Sequence, residues 1–458
     1  MRNGDVSFWY RGLPAPALRA PLPGDRTVDV AVVGGGFTGL WTAYYLKRAD
    51  PGLDIAVIER EFAGFGAPGR NGGWLSAEFA GSRERYARAS GRDAVLGLIR
   101  AMRDTVDEVI AVAHAEGIDA DIAKDGVLFV ARSPAQLKRL REDVDEARTW
   151  GETDDDVRLL DRHELARRVT IDGALAASYS PHCAAVQPAK LVRGLASAVE
   201  RLGVHIHENT TATAIAPRTV RTGRGTVTAT HVLRCLEGFT ASIARQRRAW
   251  LPMNSSMVVT EPLPDPVAAQ VGWHRREVFG DVAHAYMYAQ HTTDGRIALG
   301  GRGRPYRFGS RTDHNGRTPG TTVASLTALL RTLFPATARV PIAHAWCGVL
   351  GVPRDWSTTV TYDRATGLGA AGGYLGSGLA ATNLAGRTLA DLVLGTDSEL
   401  TGLPWVGRRV RNWEPEPIRW LGVRAMYTMY RRADRDEYRS QSAATSAIAR
   451  FANMISGR

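Results

Sequence analysis

Cysteine is nearly absent: 458 residues hold three, Cys183, Cys235 and Cys347. An odd number without CxxC spacing argues against a disulfide framework or a thiolate metal site, and it fits a reducing compartment. Lysine is almost as scarce. Only Lys47, Lys124, Lys138 and Lys190 occur, so the net charge of +11 is carried almost wholly by arginine. Arginine clusters such as Arg245-Gln246-Arg247-Arg248 read as a solvated face, and no nucleic-acid partner is expected. Long apolar runs are missing as well. No stretch reaches the ~18 apolar residues of a membrane span, and Met1 to Pro23 holds no continuous apolar core of a signal peptide. No integral membrane association is expected, and the expected location is cytoplasmic. What remains is an ordinary globular balance, 44% hydrophobic and 23% charged, in a chain long enough for two or three domains.

The most informative stretch runs from Val28 to Leu46 and continues into Ile55-Ala56-Val57-Ile58-Glu59. It reads as a buried parallel strand, a glycine turn, a helix and a second buried strand ending in a carboxylate. Gly34 permits the tight turn, Gly36 lets the backbone approach a pyrophosphate, and Gly39 lets the helix pack closely on the strand. The diphosphate would sit on free N–H groups at the start of the helix, around Phe37 and Thr38, where the macrodipole is positive. Glu59, 20 residues past Gly39, can accept hydrogen bonds from a ribose diol and disfavours a 2′-phosphate. A dinucleotide site is expected here.

The next segment, Phe62 to Ser76, is too glycine-rich for a regular element but suited to wrapping a ligand. In it Arg70 can pair with a phosphate and Trp74 can cover a flat ring. An amphipathic helix follows over Asp93 to Glu116, then a strand from Gly126 to Ala131, a helix from Pro134 to Trp150 and an acidic loop from Gly151 to Asp156. Val186-Gln187-Pro188 opens a helix through Leu202, and strands over Val204 to His207, Thr211 to Ile215 and His231 to Cys235 return the chain to the parallel sheet. His205 and His207 alternate on one strand face without an evident third ligand, so no metal is expected. Between Trp250 and Ala345, strands such as Ser256 to Thr260, Ala285 to Ala289 and Arg296 to Gly300 alternate with turns. Tyr286 and Tyr288 would share one strand face and can line a pocket. Near the end, the strand Leu368 to Ala371 and the turn Gly372 to Gly378 lead into a helix over Leu379 to Leu394, a second glycine turn at a helix N-terminus. Trp413, Trp420 and Tyr427 are seven apart and can share a helical face that docks on the protein itself.

These residues resemble the D-amino-acid oxidase superfamily of FAD enzymes, and in particular its branch with glycine oxidase, monomeric sarcosine oxidase and gamma-glutamylputrescine oxidase. The carriers are the Gly34 to Gly39 fingerprint with Glu59, the Gly69-Arg70-Asn71-Gly72-Gly73 loop, Gln187-Pro188, Thr260-Glu261-Pro262-Leu263, Gly300-Gly301 and the turn Gly373 to Gly378. The resemblance implies an α/β fold: a Rossmann-like FAD-binding domain, a discontinuous antiparallel-sheet substrate domain and a C-terminal helical extension. The implied division gives residues 26–91, 182–245 and 346–395 to the FAD-binding domain and 92–181 and 246–345 to the substrate domain. Residues 1–25 form an N-terminal extension and 396–458 the helical segment.

It further implies FAD held by Gly34, Gly36, Phe37, Thr38, Gly39, Glu59 and Arg60, by Arg70, Asn71, Gly72, Gly73 and Trp74, and by Gly373, Gly376, Ser377, Gly378, Leu379 and Ala380. A small amine or amino acid would lie among Tyr286, Tyr288, Arg302, Trp346 and Tyr374, with Arg302 available to a carboxylate. The implied chemistry is transfer of hydride from a C–H beside nitrogen to flavin N5, giving an imine, and no catalytic side chain is assigned. Sarcosine-oxidase relatives carry a lysine that favours oxygen use where this chain has Ala298, and they can tether flavin through a cysteine near Cys347, which here reads as a structural thiol. A flavin-dependent hydroxylase, suggested by Gly280-Asp281, and a flavin-binding interaction protein without turnover are the competing readings.

Overall fold

The strand Arg26–Val33 is buried at every position from Val30 to Val33, as expected of a parallel strand covered on both faces. It pairs in parallel with Ile55–Ile58 on one side and with Gly225–Arg234 on the other. These contacts belong to the computed structural model, which describes residues 1–14, 19–301, 303, 305–313 and 315–456. The sheet continues to His205–His207 beyond Ile55–Ile58, and to the hairpin Ala212–Ala216 and Thr219–Thr222 beyond Gly225–Arg234. Leu368–Gly372 also joins Gly225–Arg234 in parallel, with Thr359–Asp363 antiparallel to it, making eight strands.

Helices Phe37–Ala49, Pro188–Arg201 and Leu379–Leu394 cover one face of this sheet. The first and last of these cross at Gly386, where a Cβ would come within 2.7 Å of Trp41 Cβ. Helix Arg92–Ala115, expected with the substrate domain, buries Val95, Leu98, Met102 and Val106 in this same core. Its apolar stripe identifies a buried face without identifying the sheet that buries it.

The second sheet has nine strands, in the order Arg2–Asn3, Ile342–Val352, Leu251–Thr260, Ile297–Gly301, Met287–His291, Val278–Asp281, Val127–Ala131, Ala176–Ser180 and Arg158–Leu160. Its pairings are antiparallel except at Arg2–Asn3 and between Val278–Asp281 and Val127–Ala131. Helix Gly320–Leu333 closes one face over Leu128, Phe279 and Leu299. The fold class implied by the resemblance is therefore the one present, including the C-terminal helices Ile418–Ser440 and Ala447–Ser456. Trp413 and Tyr427 are buried against Leu251, Met253 and Val352, so the C-terminal segment docks on the second sheet. Among the described residues, no helix is long and apolar enough to cross a membrane.

Candidate functional site

A cavity of about 1120 Å³ lies between the two sheets. That exceeds the roughly 300–1,000 Å³ of a pocket for one small ligand and leaves room for a dinucleotide with a substrate beside it. Its inner wall is the glycine turn. Gly34, Gly36, Phe37 and Thr38 line it, together with Glu59, Arg60, Asn71, Gly72 and Trp74. Helix Phe37–Ala49 starts at Gly36 with no side-chain cap and no acid in its first turn, so its free N–H groups remain available to an anion. A Cβ on Gly36 would enter the cradle 3.2 Å from Pro68 Cγ. Gly39 lies behind the wall: a Cβ there would meet the Gly34 carbonyl oxygen at 2.2 Å, which is the close packing its type provides.

Glu59 accepts from Gly35 N–H at 2.8 Å through Oε2 and from Glu61 N–H at 2.9 Å through Oε1. Burial raises its pKa, against the pull of those two N–H groups. Each oxygen keeps a further lone pair, which is what a ribose diol requires. The second glycine turn completes the wall. Gly376, Ser377, Gly378 and Leu379 line the cavity, and helix Leu379–Leu394 likewise begins without a side-chain cap or an acid. Two positive helix ends thus face one cavity, and the Thr38 and Tyr374 hydroxyls, 3.0 Å apart, join them. These features fit a flavin dinucleotide, with its diphosphate at the first helix end and an electron-rich ring at the second.

Several expected residues serve other contacts. Arg70 lines the cavity but is buried; its Nε donates to the Phe65 carbonyl at 2.8 Å and its guanidinium lies 4.3 Å from the Phe65 ring, contacts that fasten the loop. Asn71 secures the same loop through Gly73 N–H and the carbonyls of Ala67 and Pro68. Gly73, Gly373 and Ala380 are outside the lining. Trp346 is outside it too: fully buried, it packs on Phe8 and Trp9 and donates its indole N–H to the Arg70 carbonyl at 2.9 Å. Cys347 is buried, with its thiol pushed up to about 11 by burial, and does not line the cavity. Arg302 lies outside the described residues.

Beyond the cradle the cavity widens into a chamber walled by Ser255, Asp281, Tyr286 and Tyr288. Tyr288 is held by Ser255, whose Oγ lies 2.9 Å from the phenol oxygen, and its ring lies over Gly72 and Gly300. The strand expected over Ala285 to Ala289 runs instead over Met287–His291. Tyr286 precedes it, so the two tyrosines do not share a strand face. The cause is distant: Asp434 accepts from the backbone N–H of His284 and Ala285 and holds them out of the ladder. Asp281, the acid of the Gly280-Asp281 pair, accepts from Met287 N–H at 3.0 Å and closes the same loop.

Sequence reasoning missed the acids of this chamber. Glu78, Asp143 and Glu146 line it as solvent-exposed side chains and make no ion pair among the described residues. Partial desolvation by the surrounding protein, reinforced by Asp143 and Glu152 against the pull of Arg83, pushes Glu78 up to about 7. Partial desolvation and neighbouring Glu146 push Asp143 up to about 6. Glu237 was missed as well. It accepts from Gly373 N–H at 3.0 Å and Tyr374 N–H at 3.2 Å, anchoring the second glycine turn, and burial pushes it up to about 7. Its position just past the C-terminal end of a parallel strand, where ligands of such sheets bind, was the available signal. His284, Asp434 and Glu437 bring one ligand atom each within 4.8 Å of one another. However, Arg139 already binds Glu437 at 2.9 Å and both Asp434 oxygens hold backbone N–H groups.

Comparison with known proteins gives a concordant picture. Residues 29–392 match the DAO family, described as FAD dependent oxidoreductase. The chain is 29% identical over 384 residues to gamma-glutamylputrescine oxidoreductase of Escherichia coli K12, covering 81% of this chain and 84% of that protein. It is 24% identical over 416 residues to sarcosine oxidase subunit beta of Rhizobium meliloti, covering 86% and 92%. The fold superposes on glycine oxidase from Geobacillus kaustophilus with a TM-score of 0.70 at 20% identity, over 84% of this chain and 99% of that one.

Proposed function

Since the chain belongs to the DAO family of FAD-dependent oxidoreductases, we propose that it oxidises the carbon–nitrogen bond of a small amine or amino acid, with preference for an amine that carries a second cationic group. The observation that carries this reading is the continuity of one cavity from the dinucleotide cradle to a chamber where Glu78, Asp143 and Glu146 face inward without ion-pair partners. All three side chains reach solvent, but carboxylates gathered in one cavity repel one another, and a cation placed among them relieves that repulsion. The arginines of this lobe offset that charge only in part: Arg83 and Arg139 act on the acids from a distance, while Arg83 and Arg103 pair directly with Glu152 and Arg139 with Glu437.

FAD, when bound, would supply a two-electron acceptor for the hydride of the C–H beside nitrogen, leaving an iminium ion that becomes the imine on losing its N–H proton to water. The chain's part is binding and orientation. Gly34 to Thr38, with Glu59, hold the dinucleotide; Tyr288, fixed by Ser255, and Tyr286 bound the space in which the reacting carbon lies; the acids fix the far end of the substrate. The N-terminus of helix Phe37–Ala49 favours the diphosphate, and that of helix Leu379–Leu394 favours negative charge on the ring.

The test is anaerobic mixing of the holoprotein with a panel of monoamines, diamines and amino acids, following flavin absorbance, repeated with oxygen and with an artificial acceptor. Diamines are expected to bleach the flavin at the lowest concentrations. A broad panel that leaves the flavin oxidised rejects amine oxidation, and tighter binding of anionic amino acids than of diamines rejects the cationic preference.

A further inference from the structure

Helix Ile418–Ser440 lies beyond the matched span 29–392 and touches the chamber through an interlocked set of contacts. Asp434 forks over two consecutive amides, accepting from His284 N–H at 2.8 Å through Oδ1 and from Ala285 N–H at 3.0 Å through Oδ2. One turn on, Glu437 is 4% exposed and meets the His284 ring through Oε1 at 3.0 Å and Arg139 through Oε2 at 2.9 Å. Arg139 in turn donates from Nε to the Val282 carbonyl at 3.1 Å. The His284 ring stacks on Tyr430 of the same helix at 5.9 Å. Arg139, Val282, Ala283 and Tyr286 all line the cavity, and Arg139 sits on the helix that carries Asp143 and Glu146.

We propose that the C-terminal helix sets the shape of the substrate chamber, with Asp434 and Glu437 as positioning residues that fasten its two walls, the segment Val282 to Tyr286 and the helix Pro134–Thr149, to one support. The inference rests on the reading that this chamber receives the amine. Three physical points carry it. Consecutive N–H groups turned out of a sheet need acceptors, and a single carboxylate supplies both. Charge-assisted bonds from Arg139 and His284 to a buried Glu437 are stronger and more directional than neutral ones. Finally, the hydrogen bonds of Asp434 and Glu437 run to residues 139, 284, 285 and 446 and to none of the cradle residues. Loosening the clamp should therefore widen the chamber and leave the cofactor in place.

The test uses the full-length holoprotein with Asp434→Asn, Asp434→Ala and Glu437→Gln, reading flavin content, amide exchange at His284 and Ala285, and flavin reduction by the best amine. All three variants are expected to keep the FAD content of the parent. Asp434→Ala should lose exchange protection at the two amides and raise the amine concentration for half-maximal reduction by about 10–100-fold, the loss of one or two charge-assisted hydrogen bonds, with the limiting rate changed less. Asp434→Asn, which keeps one acceptor oxygen, should fall between. Unchanged exchange and unchanged half-saturation in Asp434→Ala overturn the assignment, and so does loss of FAD from the mild Asp434→Asn variant, because the contacts would then hold the whole fold. If no amine reduces the parent flavin, the function reading fails, while exchange at His284 and Ala285 still decides whether the clamp exists.

Discussion

Replacing Gly39 by alanine tests how the cradle is built. The new methyl carbon would lie 2.2 Å from the Gly34 carbonyl oxygen and 2.9 Å from Val32 Cγ1. Non-bonded carbon atoms rest at about 3.5–4.0 Å, so the start of the helix must retreat by roughly 1 Å. It has little room to do so, because at Gly386 the helix Leu379–Leu394 already lies against Trp41 and Thr42 with no space for a Cβ. Overpacking of this kind costs about 1–3 kcal/mol, and an obstacle that is backbone places it at the upper end. For a domain of ~150–250 residues this lowers Tm by roughly 6–12 °C. A ~1 Å shift of the Phe37 and Thr38 amides also spoils their aim at a diphosphate, so saturating FAD should restore little of the loss.

Gly36→Ala is the control. Gly36 has φ −91, which alanine adopts without strain, and its Cβ would meet only Pro68 Cγ, at 3.2 Å. The apoprotein should lose less than about 1 kcal/mol, yet the methyl group occupies the approach to the pyrophosphate, so FAD affinity should still fall. Thermal unfolding with and without FAD, together with titration of the apoprotein by flavin fluorescence, separates the two variants. A Gly39→Ala protein that melts within about 1 °C of the parent and binds FAD equally well would refute the close-packing argument.

Glu59→Gln should weaken FAD binding by about 10–100-fold, because the neutral amide places a donor where Gly35 or Glu61 N–H now donates and loses charge-assisted bonds to the ribose; equilibrium dialysis against FAD checks it. Partial desolvation by the surrounding protein and neighbouring acids push Glu78 and Asp143 up to about 7 and about 6, so lowering the pH from 8 to below 6 protonates them. The half-saturating concentration of a diamine should therefore rise as pH falls, while that of a monoamine rises less; parallel curves for the two in anaerobic titrations would contradict it. Tyr288→Phe removes the bond to Ser255 and should change flavin reduction by less than about tenfold, whereas Gly300→Ala, whose Cβ would stand 2.3 Å from the Tyr288 ring, should displace the ring and cost more. Tyr374→Phe breaks the bond to Thr38 and should destabilise the holoprotein by about 1 kcal/mol, measured by denaturant unfolding.

The cradle was legible because its function is carried by backbone. A pyrophosphate site needs glycine at fixed offsets between a strand and a helix, and those offsets appear directly in the sequence from Gly34 to Gly39. The strands of the second sheet were legible from alternation and turns, though with shifted ends. The strand predicted at Ala285 begins at Met287, since the acceptor that captures the amides of His284 and Ala285 is Asp434, 150 positions from His284. Helix Arg92–Ala115 had a readable apolar face but no readable partner. The family resemblance put Trp346 in the pocket, and it is buried on Phe8 and Trp9, more than 300 positions away.

The chamber shows the opposite case. Its walls are side chains from segments near residues 78, 139–146 and 281–288, supported from behind by Asp434 and Glu437 and brought together only by the finished fold. Within the helix Pro134–Thr149, Asp143 and Glu146 are indistinguishable from the charges of any solvated face, and no spacing rule marks them. What distinguishes them is that the fold turns them into one cavity with Glu78, which is a property of packing. A cofactor site built on main-chain amides therefore leaves its pattern in local sequence, whereas a chamber built from converging side chains leaves none, and the cationic preference proposed here had to come from the acids that the fold brings together.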